Sequence, residues 1–110
     1  MVHAHFHPFV PTLQALCRRF GVQQMYLFGS AATPQFDVAR SDADVLVQLL
    51  PVAPLVEGET LFRLWNELET LLHRRVDLLT PDSLQSPFLR AEINRTKQLI
   101  YNAARTELLA

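Results

Sequence analysis

The sequence contains one cysteine and has no surplus of positive charge, and each of these features excludes certain classes of site or partner. The 110 residues include one cysteine, Cys17, which excludes an internal disulfide and a zinc site built from thiolates. Ten lysines and arginines stand against eleven acidic residues, which gives a formal net charge of -1. Proteins that bind nucleic acid usually carry a basic surplus, so we expect no nucleic-acid template as a partner.

Long hydrophobic runs are absent as well. The longest apolar stretch, residues 45–56, is interrupted by a glutamine and two prolines, which makes it too short to span a bilayer. No apolar segment typical of a signal peptide occurs near the N-terminus. We therefore expect a cytoplasmic protein that does not enter a membrane.

What the chain does contain is a large apolar fraction, 49% of its residues. This value lies at the top of the range for globular proteins. A chain of this length is enough for one domain and not for two, so we predict a single domain over residues 1–110. Part of the apolar surface is expected to meet another chain, in a homo-oligomer or a hetero-oligomer.

Hydrophobic periodicity predicts an α/β (α+β) fold in which a small mixed sheet is flanked by helices. The predicted strands are residues 23–28, 44–50 and 75–80. The predicted helices are residues 11–20, residues 59–73 and a last helix that opens at Ser86-Pro87 and carries its apolar stripe to Ile100. The prolines after the second strand predict a loop there.

The two ends of the chain show no clear pattern. Residues 1–8 are predicted to form a flexible arm, and residues 101–110 a tail that could bind a partner. His3, His5 and His7 alternate in the arm and would share one face of a strand, where they could chelate a metal ion. A terminal arm seldom holds such geometry, so a disordered or partner-contacting arm is the interpretation we favour.

Three aspartates stand where a sequence selected for stability alone would avoid them. Asp42 and Asp44 flank one alanine at the start of the second strand, so both project to the same side. Two unit charges ~4 Å apart repel by about 1 kcal/mol in water and about 4 kcal/mol near a protein surface. Asp77 lies inside the third apolar strand, where aspartate is disfavoured. If the strands of Asp44 and Asp77 are neighbours, the three carboxylates converge and could hold Mg²⁺ or Mn²⁺.

A glycine–serine pair precedes the aspartates. Gly29 follows the first strand and opens a turn, where a missing side chain lets the backbone approach a ligand closely. The start of a following helix and the Ser30 hydroxyl would both donate hydrogen bonds to a phosphate. A phosphate-binding turn combined with metal-binding carboxylates predicts transfer of a phosphoryl-type group from a nucleoside triphosphate.

Simpler interpretations exist for each of these features. An Asp-x-Asp pair alone is usually a solvated turn or a helix cap, and Asp77 could be paired with Arg74 or Arg75. Trp65 fits a helical stripe and is expected to be core or part of a partner surface. The order strand, Gly-Ser, spacer, Asp-x-Asp, strand, helix and aspartate on a strand favours the functional interpretation.

The segments LFGSAA, SDADVLVQL and RVDLLT together resemble the minimal nucleotidyltransferases (MNT) of the DNA polymerase β superfamily, over most of the chain. The resemblance implies a palm-like core in which Asp42 and Asp44 hold magnesium and the nucleoside triphosphate. It implies that Asp77 completes the metal site and helps to deprotonate the acceptor hydroxyl. Small family members resemble antitoxins encoded beside HEPN-domain ribonuclease toxins. The implied reaction is then transfer of AMP from ATP to a tyrosine of the toxin.

The sequence departs from the family pattern at one point. The usual motif is Gly-Ser-x-Ala-Arg-Gly, and Thr33-Pro34 stands here in place of Arg-Gly. Arg40, which precedes Ser41-Asp42, could supply the missing charge to the phosphates. Two alternatives stay open beside the active antitoxin. One is an MNT-fold antitoxin of little or no activity that binds and masks its toxin, and the other is a transferase that acts on a small molecule such as an aminoglycoside.

Overall fold

The computed structural model describes residues 2–105 and contains a mixed four-stranded sheet. Its strands are β1 (Val22–Phe28), β2 (Ala43–Leu49), β3 (Val76–Leu79) and β4 (Gln98–Asn102). The strand order is β3-β2-β1-β4. The central strand β1 runs antiparallel to β2 and to β4, whereas β2 and β3 are parallel. The predicted small mixed sheet is therefore confirmed, with one strand more than the three that were predicted.

The sheet is flanked by the α-helices α1 (Val10–Arg19), α2 (Pro54–Leu72) and α3 (Pro87–Thr96). Their ends follow local sequence chemistry. Gly21 after α1 has a φ of +68°, and at the start of α3 the Ser86 hydroxyl accepts a hydrogen bond from the Leu89 amide at 3.3 Å. Pro87 then occupies the first turn, so the predicted opening at Ser86-Pro87 is confirmed. None of the helices described is long and apolar enough to cross a membrane.

The two faces of the sheet have different neighbours. Met25, Leu27, Val45 and Val47 are fully buried on one face, in the same cluster as apolar residues of α1 and α2. Alternation turns the residues between them to the other face, where Phe28 and Leu46 form a smaller cluster with residues of α3 and of the segment before it. Asp44 belongs to this second face, beside Phe28.

The second and third helices differ from their predicted bounds. Helix α2 begins at Pro54 rather than at residue 59, because proline fits the first turn of a helix, and Gly58 lies inside it. Helix α3 ends at Thr96, where the backbone of Lys97 turns to an extended ψ of 137°. Ile100 therefore lies in β4, which pairs with β1, and not on the stripe of the last helix.

The prediction that residues 1–8 form a flexible arm is wrong for the residues of this segment that the structure describes. Ala4–Phe9 forms a 3-10 helix, and Phe6 within it is fully buried. The ring of Phe6 packs against the ring of Phe36 at 4.8 Å between centroids, and the His3 amide donates to the Ala31 carbonyl at 2.9 Å. Burial of an aromatic side chain is favourable enough to hold a short segment on the core. Of the predicted tail, residues 101–102 belong to β4, and residues 106–110 lie outside the described residues.

Candidate active site

Asp44 and Asp77 lie side by side on neighbouring strands. The parallel register of β2 and β3 pairs Asp44 directly with Asp77. Both residues line a cavity of about 890 Å³, together with Gly29 and Ser30. The structure thus brings together four of the six residues that the sequence singled out.

Among the described residues, no cation forms an ion pair with either carboxylate. Burial, the charge of Asp77, a hydrogen bond with Asp77 and the charge of Asp42 together raise the pKa of Asp44 to about 6. The ion pairs among residues 2–105 join arginines to Glu59, Glu67 and Glu92, and none includes these aspartates. Uncompensated carboxylates held together in a cavity are what a bound cation would stabilise.

The position of Gly29 next to the Asp44 carboxylate requires a glycine. Its φ is +62°, and a Cβ placed on it would lie 2.6 Å from Oδ2 of Asp44. No other residue type fits without moving that carboxylate, because real Cβ atoms do not approach an oxygen so closely. The sequence indicated that a backbone would come close to a ligand here. The structure shows that it comes close to the Asp44 carboxylate.

The amide of Gly29 is already engaged. It donates a hydrogen bond to Oγ1 of Thr96 at 2.9 Å, and that hydroxyl in turn donates to the Glu92 carbonyl at 2.8 Å. Thr96 is a buried polar residue at the end of α3. Its segment was predicted to be a helix with an apolar stripe that runs to Ile100, and that pattern does not reveal this role, although a buried threonine needs a hydrogen-bond partner.

Asp42 and Arg40 are placed differently from the other four. Asp42 precedes β2, is half-buried and is not among the residues that line the cavity, although its charge is felt by Asp44. Arg40 is exposed in a turn that Asp37 stabilises through its carbonyl and its carboxylate. As the side chains are arranged within residues 2–105, no three His, Cys, Asp or Glu residues form a group that could hold a metal ion.

Arg74 is not the partner of Asp77. Its guanidinium donates to the carbonyl of Ser41 at 2.8 Å and to that of Val38 at 3.0 Å, and it lies over the ring of Phe36. The interpretation of Asp77 as a structural half of an ion pair with Arg74 is therefore wrong. Arg74 instead fixes the backbone directly before Asp42.

An aromatic wall, formed by Phe62 and Trp65 of α2, lines the same cavity. Trp65 is half-buried, and its indole Nε1 donates to the carbonyl of Val76, the residue before Asp77, at 2.8 Å. Phe62 lies 6.1 Å from the Trp65 ring between centroids and is 61% exposed. The helical spacing of Trp65 predicted a core or partner-surface residue and did not indicate its place beside the aspartates.

The carboxylates at this site have the chemistry of ligands for a hard divalent cation, although the described side chains do not converge as a group of three. Asp44 and Asp77 present carboxylate oxygens to one cavity, and Asp42 adds a third carboxylate close enough to raise the pKa of Asp44. Oxygen ligands without sulfur or imidazole are the set that Mg²⁺ and Mn²⁺ prefer. Binding of such an ion would remove the repulsion that the two paired strands otherwise impose.

Comparison with known proteins places the chain among nucleotide-using transferases. The family model described as polymerase beta, nucleotidyltransferase matches residues 12–106. A protein of Methanocaldococcus jannaschii, whose name describes a protein adenylyltransferase, is 31% identical over 86 residues, which are 78% of this chain and 82% of that protein.

Two solved structures share the fold. One, described as a minimal nucleotidyltransferase, is 30% identical, with a TM-score of 0.67 over 89% of this chain and 95% of that one. The other is a complex from Shewanella oneidensis that joins a tri-AMPylated HEPN toxin to its MNT antitoxin. It is 20% identical, with a TM-score of 0.55 over 91% of this chain and 75% of that one.

Proposed function

Because this chain belongs to the polymerase beta nucleotidyltransferase family, we propose that it is a cytoplasmic antitoxin that transfers AMP from ATP to a tyrosine of a HEPN-domain ribonuclease toxin. The observation that carries the proposal is the pairing of Asp44 with Asp77 in the cavity that Gly29 and Ser30 also line. The similar protein adenylyltransferase and the AMPylated toxin in a structure of the same fold support the choice of AMP and of a protein acceptor.

Asp42, Asp44 and Asp77 would hold Mg²⁺ or Mn²⁺. When bound, the ion neutralises the carboxylates and the charge that develops on the transferring phosphate. Asp42, which lies just before β2, would join the other two, because alternation along the strand turns Asp42 and Asp44 to the same side. Arg74 supports this by fixing the Ser41 carbonyl.

The chain's own groups have separate tasks in the transfer. The tyrosine oxygen attacks the α-phosphorus, and the bond from that phosphorus to the bridging oxygen of pyrophosphate breaks. Asp77 accepts the hydroxyl proton, and the Ser30 hydroxyl donates to the departing phosphates. Arg40 is exposed and lies two residues before Asp42, so we propose that its positive charge binds the phosphates. Calorimetric titration of the Arg40→Ala variant with ATP tests this role.

The second candidate function is that of an antitoxin that binds and masks its toxin without transfer. Two observations favour it. The usual motif arginine is replaced by Thr33, whose hydroxyl donates to the Ser30 carbonyl at 3.2 Å, and the Gly29 amide is taken by Thr96. Both leave fewer donors for phosphate than the family motif supplies.

Asp77→Asn separates the two functions, because it keeps the side-chain size and removes the proton acceptor. Asp77 is exposed, so the variant should fold and still bind the toxin. Wild type should add ~329 Da to the toxin for each AMP, a value set by the chemistry of nucleotidyl transfer. The variant should add none and should fail to protect cells. If wild type adds no mass and the variant protects equally well, masking is the function.

A further inference from the structure

The groups that line the large cavity follow one order across the sheet. Gly29 stands at the end of β1, Asp44 on β2 and Asp77 on β3, and the sheet order places β2 between the other two. Beyond the edge strand β3 lies the aromatic wall, which Trp65 ties to Val76. The cavity therefore has a glycine–serine end, a carboxylate centre and an aromatic end.

In-line displacement at phosphorus relates the two ends of the cavity to the leaving group and to the acceptor. The attacking oxygen and the leaving oxygen lie on opposite sides of the phosphorus in such a transfer. If the departing pyrophosphate lies at the glycine–serine end and the α-phosphorus at Asp44, the acceptor must enter from the side of Asp77. The aromatic wall is the surface on that side.

We propose that Phe62 and Trp65 form the subsite for the aromatic ring of the acceptor side chain, so that the wall selects tyrosine over serine and threonine. The inference rests on the proposed transfer from ATP. A phenol that packs against this wall would direct its hydroxyl toward Asp77, because the Trp65 indole is held to the residue before Asp77. Serine and threonine lack a ring to fill the aromatic end of the cavity.

The exposure of the two rings fits this role. Phe62 is 61% exposed although it lines a cavity, so a planar ligand can cover a large part of it. Trp65 is held in place by its hydrogen bond, which lets the wall keep its geometry without a ligand. Aromatic pairs favour offset-stacked or edge-to-face contacts, and the exposed ring of Phe62 is open to a ligand ring in either arrangement.

The single tryptophan of the chain allows a test that does not depend on transfer activity. Emission of Trp65, excited at the red edge of its absorption, is followed while N-acetyl-tyrosinamide, N-acetyl-serinamide, ATP or tripolyphosphate is added. Saturable change is expected with the tyrosine probe at millimolar concentration and none with the serine probe. Phe62→Ala should weaken binding of the tyrosine probe about two- to tenfold, while Phe62→Tyr should restore it.

Phe88→Ala is the matched control, since Phe88 is 87% exposed and does not line the cavity. It should leave binding of the tyrosine probe unchanged, and thermal melting should show that each variant folds. A response to ATP that depends on Phe62, with none to the tyrosine probe, would assign the wall to the nucleobase and overturn the inference. So would the absence of any saturable response, or equal weakening by Phe62→Ala and Phe88→Ala. None of these results bears on the mass increment that tests the transfer itself.

Discussion

At the scale of single residues, Gly29 and Asp44 constrain each other. Gly29→Ala should cost about 1 to 2 kcal/mol through its left-handed backbone, and more because the new Cβ must displace Oδ2 of Asp44. We expect a lower urea midpoint and loss of the stabilisation that ATP with magnesium gives. Both are measured by denaturation with and without the nucleotide.

Gly21→Ala provides the comparison for that variant. Gly21 has a similar φ of +68°, but a Cβ there would meet no atom within 4 Å. The Gly21→Ala variant should lose stability only through its left-handed backbone and should keep the stabilisation that ATP gives. Equal loss of the ATP response in both variants would show that the contact with Asp44 has no special importance.

The raised pKa of Asp44 predicts a pH dependence of stability. Between the ordinary value of 3.8 and the folded value of about 6, the folded state binds more protons than the unfolded state. Stability should therefore fall as the pH rises through this window and stay lower above it. Asp44→Asn removes the ionisation and its amide can still donate to Asp77. The variant should melt higher than wild type at pH 8 in EDTA, and this gain should disappear near pH 4.

Asp82→Asn is a control for the removal of a carboxylate as such, because Asp82 is exposed in the 3-10 helix Pro81–Ser83. It should not reproduce the higher melting temperature that Asp44→Asn shows at pH 8, because Asp82 does not line the cavity. If the gain from Asp44→Asn is constant from pH 4 to pH 8, Asp44 does not titrate in this window.

At the scale of elements, the end of α3 holds the turn that follows β1. Thr96→Val keeps the shape of the side chain but leaves the Gly29 amide without its partner. Loss of a buried hydrogen bond of this kind costs about 1 to 3 kcal/mol. Thr96→Ser retains the hydroxyl and should keep the Gly29 amide protected from hydrogen exchange, whereas Thr96→Val should not. Equal exchange in the two variants would contradict a role for this hydrogen bond.

The elements that sequence analysis identified are those whose signals are local. Ser86 and Pro87 define the start of α3 through capping and a fixed φ, and Gly21 follows α1 with the positive φ that glycine tolerates. The strand β4 was missed because Ile100 continues a helical spacing from Ile93. Only pairing with β1, a contact between distant parts of the chain, makes that segment a strand.

The N-terminal segment shows the same limit. Residues 4–9 carry no helical period, so only their contacts with Phe36 and Arg74 could reveal their structure. Phe6 packs on Phe36, and His5 pairs with the Arg74 guanidinium at 3.1 Å. Burial, Arg74 and His3 all lower the pKa of His5, which favours the neutral imidazole beside the arginine. Tertiary contacts of this kind leave no trace in a local sequence pattern.

At the scale of the whole molecule, the sequence singled out Asp44 and Asp77 because both interrupt apolar strands without a local reason. It predicted that they meet only on the condition that their strands are neighbours, and the structure fulfils that condition. It could not predict the Gly29 amide bond to Thr96 or the aromatic wall. Those depend on how α3 and α2 pack against the sheet. The metal-binding and nucleotide-binding roles of Asp42, Asp44 and Asp77 stay a prediction, which ligand binding to the folded protein can test.

A ligand that binds only the folded state raises its stability, by about 2.7 kcal/mol at a hundred times the dissociation constant. We therefore expect ATP with Mg²⁺ or Mn²⁺ to raise the melting temperature of this protein. The double variant Asp42→Asn, Asp44→Asn should lose that shift, even though removal of charge raises its melting temperature without ligand. The shift, rather than the melting temperature itself, is thus the quantity to compare. The matched pair Asp37→Asn, Asp82→Asn removes two exposed carboxylates that do not line the cavity and should keep the shift. A shift of full size in the Asp42→Asn, Asp44→Asn variant would show that the ion is held elsewhere, because Asp77 is then the one carboxylate left at the proposed site.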